Sequence, residues 1–461
     1  MKSTLLLSKP TASKSRLLAL LLGLCVAGTI AARADNLPTD RPLTLVDCVA
    51  AALGKNPALE AYKYDLKAAD AQVWAQRSGL LPQLTGSAQV FILNGEPVSQ
   101  FSVVGVTEPE LIARHVDWGK GWIGTLGLTY PIFENGSIFG VNNAPAVASA
   151  KAERKQQEWA RSLAEQDAIY TVAEAYFGTL TAQAKTAFYE RMVELAKQRV
   201  TIVKEKARLD LALTQDVQIA ESRLESNEQG LQASRSKAQE SNAYLARLIG
   251  VTGPVQLKLA APPTAPSVPP LDTLLESIVA KHPQMGIQDA IVEKAKQDLR
   301  LNQSHRLPSV RANASYSYGS DLNGGPAPDL VAANVGVEMP LFDFGHYNAL
   351  VRSSREKLHA EEQRVELTRY DIRRSVVEAV GELRQDQEEA ASLQEQVLKL
   401  QLDAKAAKAK QEIGLFTPLS AVDTEVNLLQ QEVLLQDAQL RLWMKYSDLQ
   451  RTAGGVWKWI P

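Results

Sequence analysis

The chain has 461 residues, 45% hydrophobic and 22% charged; this is enough for two or three ordinary domains and excludes a disordered composition. Its formal net charge of −2 argues against nucleic acid as a partner. Of the two cysteines, Cys25 lies in an apolar N-terminal run, so processing there leaves Cys48 alone and no intrachain disulfide.

Residues 1–34 read as a cleaved signal peptide. Lys2, Lys9, Lys14 and Arg16 precede LLALLLGLCVAGTIAA, and Ala32-Arg33-Ala34 supplies small residues at a cleavage site before Asp35. Leu24 stands where a lipoprotein signal places a small residue before its cysteine, so cleavage without lipidation of Cys25 is the expectation. The mature charge is then about −7. No later apolar run reaches the length of a membrane helix, so if the exported chain enters a membrane it does so as a β-barrel.

From there the chain says everything twice. LTLVDCVAAALGKNPAL returns as LDTLLESIVAKHPQM, and SGLLPQL as SHRLPSV. The offset is 226 positions at Pro57/Pro283 and Pro82/Pro308 and falls to 209 at Pro131/Pro340, which places an insertion between Pro82 and Pro131. The halves span residues 35–250 and 271–461; between them VTGPVQLKLAAPPTAPSVPP, rich in proline, reads as a linker over 251–270.

Within each half the periodicity changes in the same order. A helix over Pro57 to Leu80 precedes a strand in which Leu84, Gly86, Ala88, Val90 and Ile92 alternate with polar residues. Trp122, Leu126, Leu128 and Tyr130 mark a second strand, closing the pair at residues 83–133. A helical pattern with no proline after Pro145, on the order of 95 Å long, follows over 143–208, then a turn and a helix over 214–249. The second half repeats the set: a helix over Pro283 to Arg306, strands over 309–342 joined by SDLNGGPAPD, a long helix over 347–413 and a shorter one over 417–452. Seven-residue spacing at Val217, Leu224, Leu231, Ala238 and Leu245, and again at Val351, Leu358, Val365 and Ile372, predicts left-handed coiled-coil packing.

The strands alone fit either a membrane barrel shared between copies or a soluble sheet packed on helices. Four strands cannot close a barrel, two copies give a plugged one, and three give twelve strands with a lumen. Trp118, Trp122, Tyr130, Tyr316 and Tyr318 fit an interfacial aromatic belt or a packed core. The helices alone fit a soluble coiled-coil rod.

The order of parts, done twice, goes further. With the paired LTLVDC and LDTLLE openings, the LLPQLTGSA and RLPSVRANASY strand entries, the YPIFENG and MPLFDFG exits and the closing YSDLQRTAGGVW, the mature chain resembles the outer membrane efflux proteins of Gram-negative bacteria, the TolC family. The resemblance implies a mainly α fold with a membrane β-barrel: four coiled-coil helical columns and four strands per protomer. Three protomers would close a twelve-stranded barrel in outer-membrane lipid above a twelve-helix periplasmic tunnel. It implies a homotrimer acting as a passive exit duct for small molecules, recruited by a periplasmic adaptor protein and an inner-membrane pump. A soluble periplasmic scaffold that conducts nothing is the alternative.

The resemblance places the working sites at the turns between long and shorter helices. In RLDLALTQDVQ, Thr214 reads as a helix N-cap; in EIGLFTPLSAVD, Gly414 reads as a left-handed cap and Thr417-Pro418 as a helix start. Asp216 and Asp423 fall where the family carries tip carboxylates; rings of three would narrow an entrance and attract cations. Asp216 in a first helical turn is also favourable without any gate. Where some relatives carry a basic residue after the tip glycine, this chain has Leu415 and Phe416, so closure by Phe416 is expected in place of a salt-bridge lock. The repeated exit phrase reads as a strand-to-helix junction: Pro131 and Pro340 end a strand, Phe133 and Phe342 wedge the bend, Gly136 and Gly345 turn the backbone into a helix. The five histidines have no metal-ligand spacing and there is no nucleophile motif, so neither catalytic residue, metal nor cofactor is expected.

Overall fold

The computed structural model describes residues 41–92, 120–139, 144–251, 257–262, 268, 270–321 and 330–460. The expected signal segment, Trp118, most of the predicted insertion and the SDLNGGPAPD loop lie outside the described residues. The elements in chain order are α1 (Leu45–Lys55), α2 (Pro57–Ser78), β1 (Gln83–Ile92), β2 (Lys120–Glu134), β3 (Ser137–Ile138), α3 (Pro145–Arg208), α4 (Thr214–Leu248), α5 (Leu271–Lys281), α6 (Pro283–Ser304), β4 (Ser309–Asp321), β5 (Leu330–Glu338), α7 (His346–Glu412) and α8 (Pro418–Thr452).

Local chemistry fixes most of the boundaries. Prolines 57, 283 and 418 each open a helix, where a missing N–H costs nothing. The residue before each one caps it: Asn56 Oδ1 accepts from Ala58 N–H at 2.9 Å, His282 Nδ1 from Gln284 N–H at 3.0 Å and Thr417 Oγ1 from Ser420 N–H at 3.2 Å. A reciprocal box starts α1, with the Thr44 N–H donating to Asp47 at 3.0 Å and the Asp47 N–H to Thr44 Oγ1 at 3.3 Å.

The helices lie side by side as columns. α3 packs on α2 and α4 and, toward the other half, on α6 and α8; α7 packs on α6 and α8. The order across the layer is therefore α2 with α4, then α3, then α6 with α8, then α7. Each long helix, 64 residues in α3 and 67 in α7, runs beside a pair of shorter ones. On α7 the buried residues Val376, Leu383, Ala390 and Val397 recur every seven positions, beside Ile372 and Ala379, as left-handed supercoiling requires.

The sheet has the order β1-β2-β4-β5, all antiparallel, with β3 folded back on β2. Cross-strand partners share a face. Leu84, Leu128, Ala314 and Ala333 stand in one row, and Gly86, Leu126, Tyr316 and Val331 in the next. The opposite face carries Gln83, Thr129, Asn313 and Asn334, then Ser87, Thr125 and Ser317. The apolar face is uncovered: Leu84, Val90, Leu126, Val331, Val335 and Val337 are all exposed. That disposes of the packed soluble sheet as far as this chain's own helices are concerned.

Within the second half a buried core forms around Ile278, Val376, Leu383, Tyr446 and Leu449. The C-terminal tail closes it. Gln450 accepts from the Trp459 and Ile460 N–H groups at 3.1 and 2.9 Å and donates to the Ile460 carbonyl at 3.1 Å, while Trp459 stacks on Phe177 of α3. Nearby, the described part of the proline-rich segment runs beside the start of the chain: Leu43 N–H donates to Lys258 O, and Ala260 N–H to Leu43 O. The Tyr176 hydroxyl sits 3.0 and 2.9 Å from the Leu43 and Ala260 carbonyl oxygens.

His282, buried at the start of α6, is a neutral imidazole. Nδ1 accepts from Gln284, so Nε2 carries the proton and donates to the Thr452 carbonyl at 3.1 Å. Burial lowers its pKa, against a smaller opposing effect of the Thr452 bond. A depressed histidine contributes stability above the unfolded pKa and loses it as pH falls below that value toward the folded one. Thermal melts of detergent-solubilised protein between pH 8 and pH 5 are expected to fall more steeply for the wild type than for His282→Gln; equal slopes would remove His282 as the cause.

Candidate functional site

Both turns between long and shorter helices use one backbone motif. After α7, Gly414 takes φ +76° and the Leu415 N–H reaches back to the Lys410 carbonyl at 2.9 Å; after α3, Asp210 takes φ +54° and the Leu211 N–H reaches the Lys206 carbonyl at 2.8 Å. Glycine meets this left-handed demand without strain, whereas Asp210 pays the modest penalty that Asp tolerates better than most. The same correspondence moves the predicted cap. Thr214 is not an N-cap: it is the first residue of α4, and Leu213 occupies the cap position that Thr417 fills before Pro418.

With no cap side chain at Leu213, Asp216 supplies the missing acceptor. Its Oδ2 takes the Leu213 N–H at 2.9 Å, so this carboxylate serves the helix start it stands in. Asp423 is placed differently. Its carboxylate pairs with Arg199 of α3, and two residues further along α8 Glu425 pairs with Arg191 of α3 and lies 3.9 Å from Lys408 of α7. The lock set aside in favour of Phe416 thus has a counterpart within the protomer, joining the first hairpin to the second. Beneath it Val200, Val203 and Ala220 are buried against Val217, Leu224 and Leu419.

Phe416 is half-buried. Around it the turns are apolar and exposed: Leu209, Leu211, Leu213, Ile413 and Leu415 are each 61 to 75% accessible. Loops normally carry polar residues, and these two turns instead expose five aliphatic side chains.

At the sheet-to-helix junctions the two copies of the phrase diverge. In the first, Pro131 does not end its strand. β2 runs on to Glu134, with a bulge between Pro131 and Phe133 in its pairing with β4. Gly136 does not lead into a helix either: Asn135 and Gly136, at φ +50° and +75°, form the two-residue turn that folds β3 back so that Phe133 faces Ile138. In the second copy Phe344 and Gly345 take the same pair of positive φ values, 51° and 86°, but no strand returns. Pro340 follows the end of β5, and Gly345 is the residue from which α7 starts. Asp343 caps that start, accepting from Gly345 and Tyr347 N–H groups at 2.9 and 2.7 Å, bonds that hold its carboxyl below the usual range. Phe342 wedges nothing within the chain: it stands 77% exposed against Phe344, with ring centroids 4.5 Å apart.

Trp122 and Tyr318 meet edge to face at 5.6 Å on the apolar side of the sheet. Among the described residues no group of three or more His, Cys, Asp or Glu side chains could hold a metal ion. Sequence reasoning missed Arg199, Arg191 and Glu425; one half of each pair lies in each repeat, and spacing along one helix does not reveal which other helix it meets. The leucines at 209, 211 and 213 were visible as apolar residues in a turn.

Residues 49–251 and 274–455 match the sequence model of the outer membrane efflux protein family. The chain is 22% identical over 404 residues to the outer membrane efflux protein BepC of Brucella suis, covering 86% of this chain and 82% of BepC. In structure it is similar to the outer membrane protein VceC of Vibrio cholerae, with a TM-score of 0.70 at 19% identity over 89% of this chain and 96% of that one. It is also similar to the MtrE outer membrane channel of Neisseria gonorrhoeae in its open state, with a TM-score of 0.69 at 20% identity over 89% of both chains.

Proposed function

We propose, from the premise that this chain belongs to the outer membrane efflux protein family, that it is the outer-membrane exit duct of a tripartite efflux system, working as a homotrimer. One observation carries the reading: the sheet and the helical layer each have two open ends. Among the described residues β1 and β5 are unpaired on their outer sides, and the helical columns end at α2 with α4 on one flank and α7 on the other. Open strand edges are not tolerated in lipid. Pairing β5 of each copy with β1 of the next removes them; two copies give eight strands and an interior filled by side chains, three give twelve and a lumen. The same rotation closes four columns per chain into twelve. The apolar sheet face then meets lipid and the polar face lines the pore.

The tip takes the other two roles. The exposed aliphatic residues of the two turns fit a periplasmic adaptor that docks end-on, itself bound to an inner-membrane pump, and Phe416 narrows the resting entrance. The chain acts as a passive duct, and metabolic energy enters through the pump.

Fractionation and planar-bilayer recording test this together. The protein is expected in the outer-membrane fraction as a heat-modifiable trimer, with Phe416→Ala trimers conducting severalfold more than wild type. A freely soluble periplasmic product without detergent would overturn the duct; equal conductance would overturn only the role of Phe416.

A further inference from the structure

We infer that Glu134, Arg311 and Glu338 form a charged girdle at the periplasmic end of the barrel that sets the charge preference of the pore. The inference rests on the trimeric barrel proposed above and adds a site within it.

The bulge in β2 is what builds this girdle. Up to Tyr130 the even-numbered residues of β2 lie on the apolar face, Leu126 opposite Tyr316, Leu128 opposite Ala314 and Tyr130 opposite Ala312. Continued without interruption, that alternation would send Glu134 toward lipid. Instead Pro131 pairs with Arg311 and Phe133 with Val310, one extra residue on β2, so the parity reverses. Phe133 joins the apolar face with Val310 and Val337, and Glu134 arrives on the polar face, where its carboxylate accepts from Arg311 at 2.6 Å. A buried or lipid-facing glutamate would be costly, so the bulge and the ion pair are one device.

Among the strand residues whose side chains are described, the rest of that face is neutral. Gln83, Thr85, Ser87, Thr125, Asn313 and Ser317 line it in β1, β2 and β4, tied by the Thr125 to Ser317 and Asn313 to Asn334 hydrogen bonds at 3.0 and 3.2 Å. Among the strand residues whose side chains are described, Arg311, Glu134 and Glu338 are the charges on this face, and all three stand at the same end. Ser309, two residues before Arg311, is the cross-strand partner of Glu338. Each chain therefore brings one cation and two anions to one level, and a trimer places an excess of three negative charges around the pore where the barrel meets the tunnel. Rings of like charge at a constriction select by sign. Cations and neutral or zwitterionic solutes pass this level more readily than organic anions.

The test is the reversal potential of single trimers across a KCl gradient, with every variant required to show wild-type step size. Arg311→Gln leaves only acids and is expected to raise the ratio of K⁺ to Cl⁻ permeability roughly two- to threefold near 0.1 M salt, an effect that shrinks at 1 M as screening tightens. Glu134→Gln and Glu338→Gln each remove an acid and are expected to lower the ratio; Glu338→Gln breaks no ion pair, so it reports on charge even if the other two variants assemble poorly. A bridge serving stability alone would move the two pair variants in the same direction or not at all. Normal steps with an unmoved reversal potential in Glu338→Gln and Arg311→Gln would overturn the girdle and leave the duct standing. No steps from wild-type trimers would overturn the duct, and the girdle with it.

Discussion

Arg199→Ala trimers are expected to conduct severalfold more than wild type, and Asp423→Asn trimers to behave alike. Arg199 lies on α3, in the first hairpin, and Asp423 on α8, in the second. Glu425 extends the link to Arg191 and Lys408. These groups are partly exposed, so each pair alone contributes about 0–1 kcal/mol after solvent screening. Acting together at the end of long helices they need supply only about 1 kcal/mol, because that changes the ratio of two conformations by about fivefold. The apolar contact of Leu419 with Val200 and Val203 remains in either variant, so loosening is expected without loss of fold. The charge-swapped double variant, Arg199→Asp with Asp423→Arg, should return conductance toward wild type. High salt should raise wild-type conductance beyond the gain in bulk conductivity and leave Arg199→Ala closer to proportional. Conductance equal in all four proteins would show that the hairpins are held by their apolar seam.

Closure by Phe416 and closure by these ion pairs make different claims about one turn. The first has Phe416 acting on copies of itself across the pore of the proposed trimer; the second rests on Arg199 and Asp423, paired between helices of one chain. Only the first was open to sequence reasoning, because a residue's identity is written in the chain and its partner's is not. The same limit explains Asp216. Its place in the first turn of a helix was legible and so was the favourable dipole; that Leu213 needs its carboxylate was hidden by taking Thr214 as the cap. The repeat offers the correction, since the register that aligns Asp210 with Gly414 also aligns Leu213 with Thr417.

The long helices were legible almost to the residue because proline, glycine and caps act locally. Pro145 opens α3, Gly414 and Asp210 reverse the chain, and seven-residue spacing runs between. Strand faces were legible for the same reason, since alternation is a local pattern. The bulge was not. Pro131 carries no N–H to donate, which suggests an end; in the structure that loss falls where the ladder is already interrupted. A proline in a strand reads as a stop until its neighbour is known, and here the neighbour, Arg311, lies in the other half of the chain.

Gly454→Ala is expected to be far more damaging than Gly345→Ala, although both glycines have positive φ, +60° and +86°. A Cβ on either pays the left-handed penalty of roughly 1–2 kcal/mol. On Gly345 it meets nothing within 4 Å, whereas on Gly454 it would stand 2.4 Å from Pro283 Cδ and 2.9 Å from the His282 ring. Relief requires moving the end of α8 off the start of α6, and that strains the His282 to Thr452 bond and the tail that Gln450 holds; overpacking of this kind adds roughly 1–3 kcal/mol. Gly381, inside α7 with open space around it, gives the opposite sign: alanine there is expected to stabilise by roughly 0.5–1 kcal/mol through helix propensity. Thermal melts of solubilised protein should therefore rank Gly381→Ala above wild type, then Gly345→Ala, then Gly454→Ala. If Gly345→Ala melts as low as Gly454→Ala, backbone strain alone governs both sites, and the C-terminal tail is an ornament on the core instead of its closure.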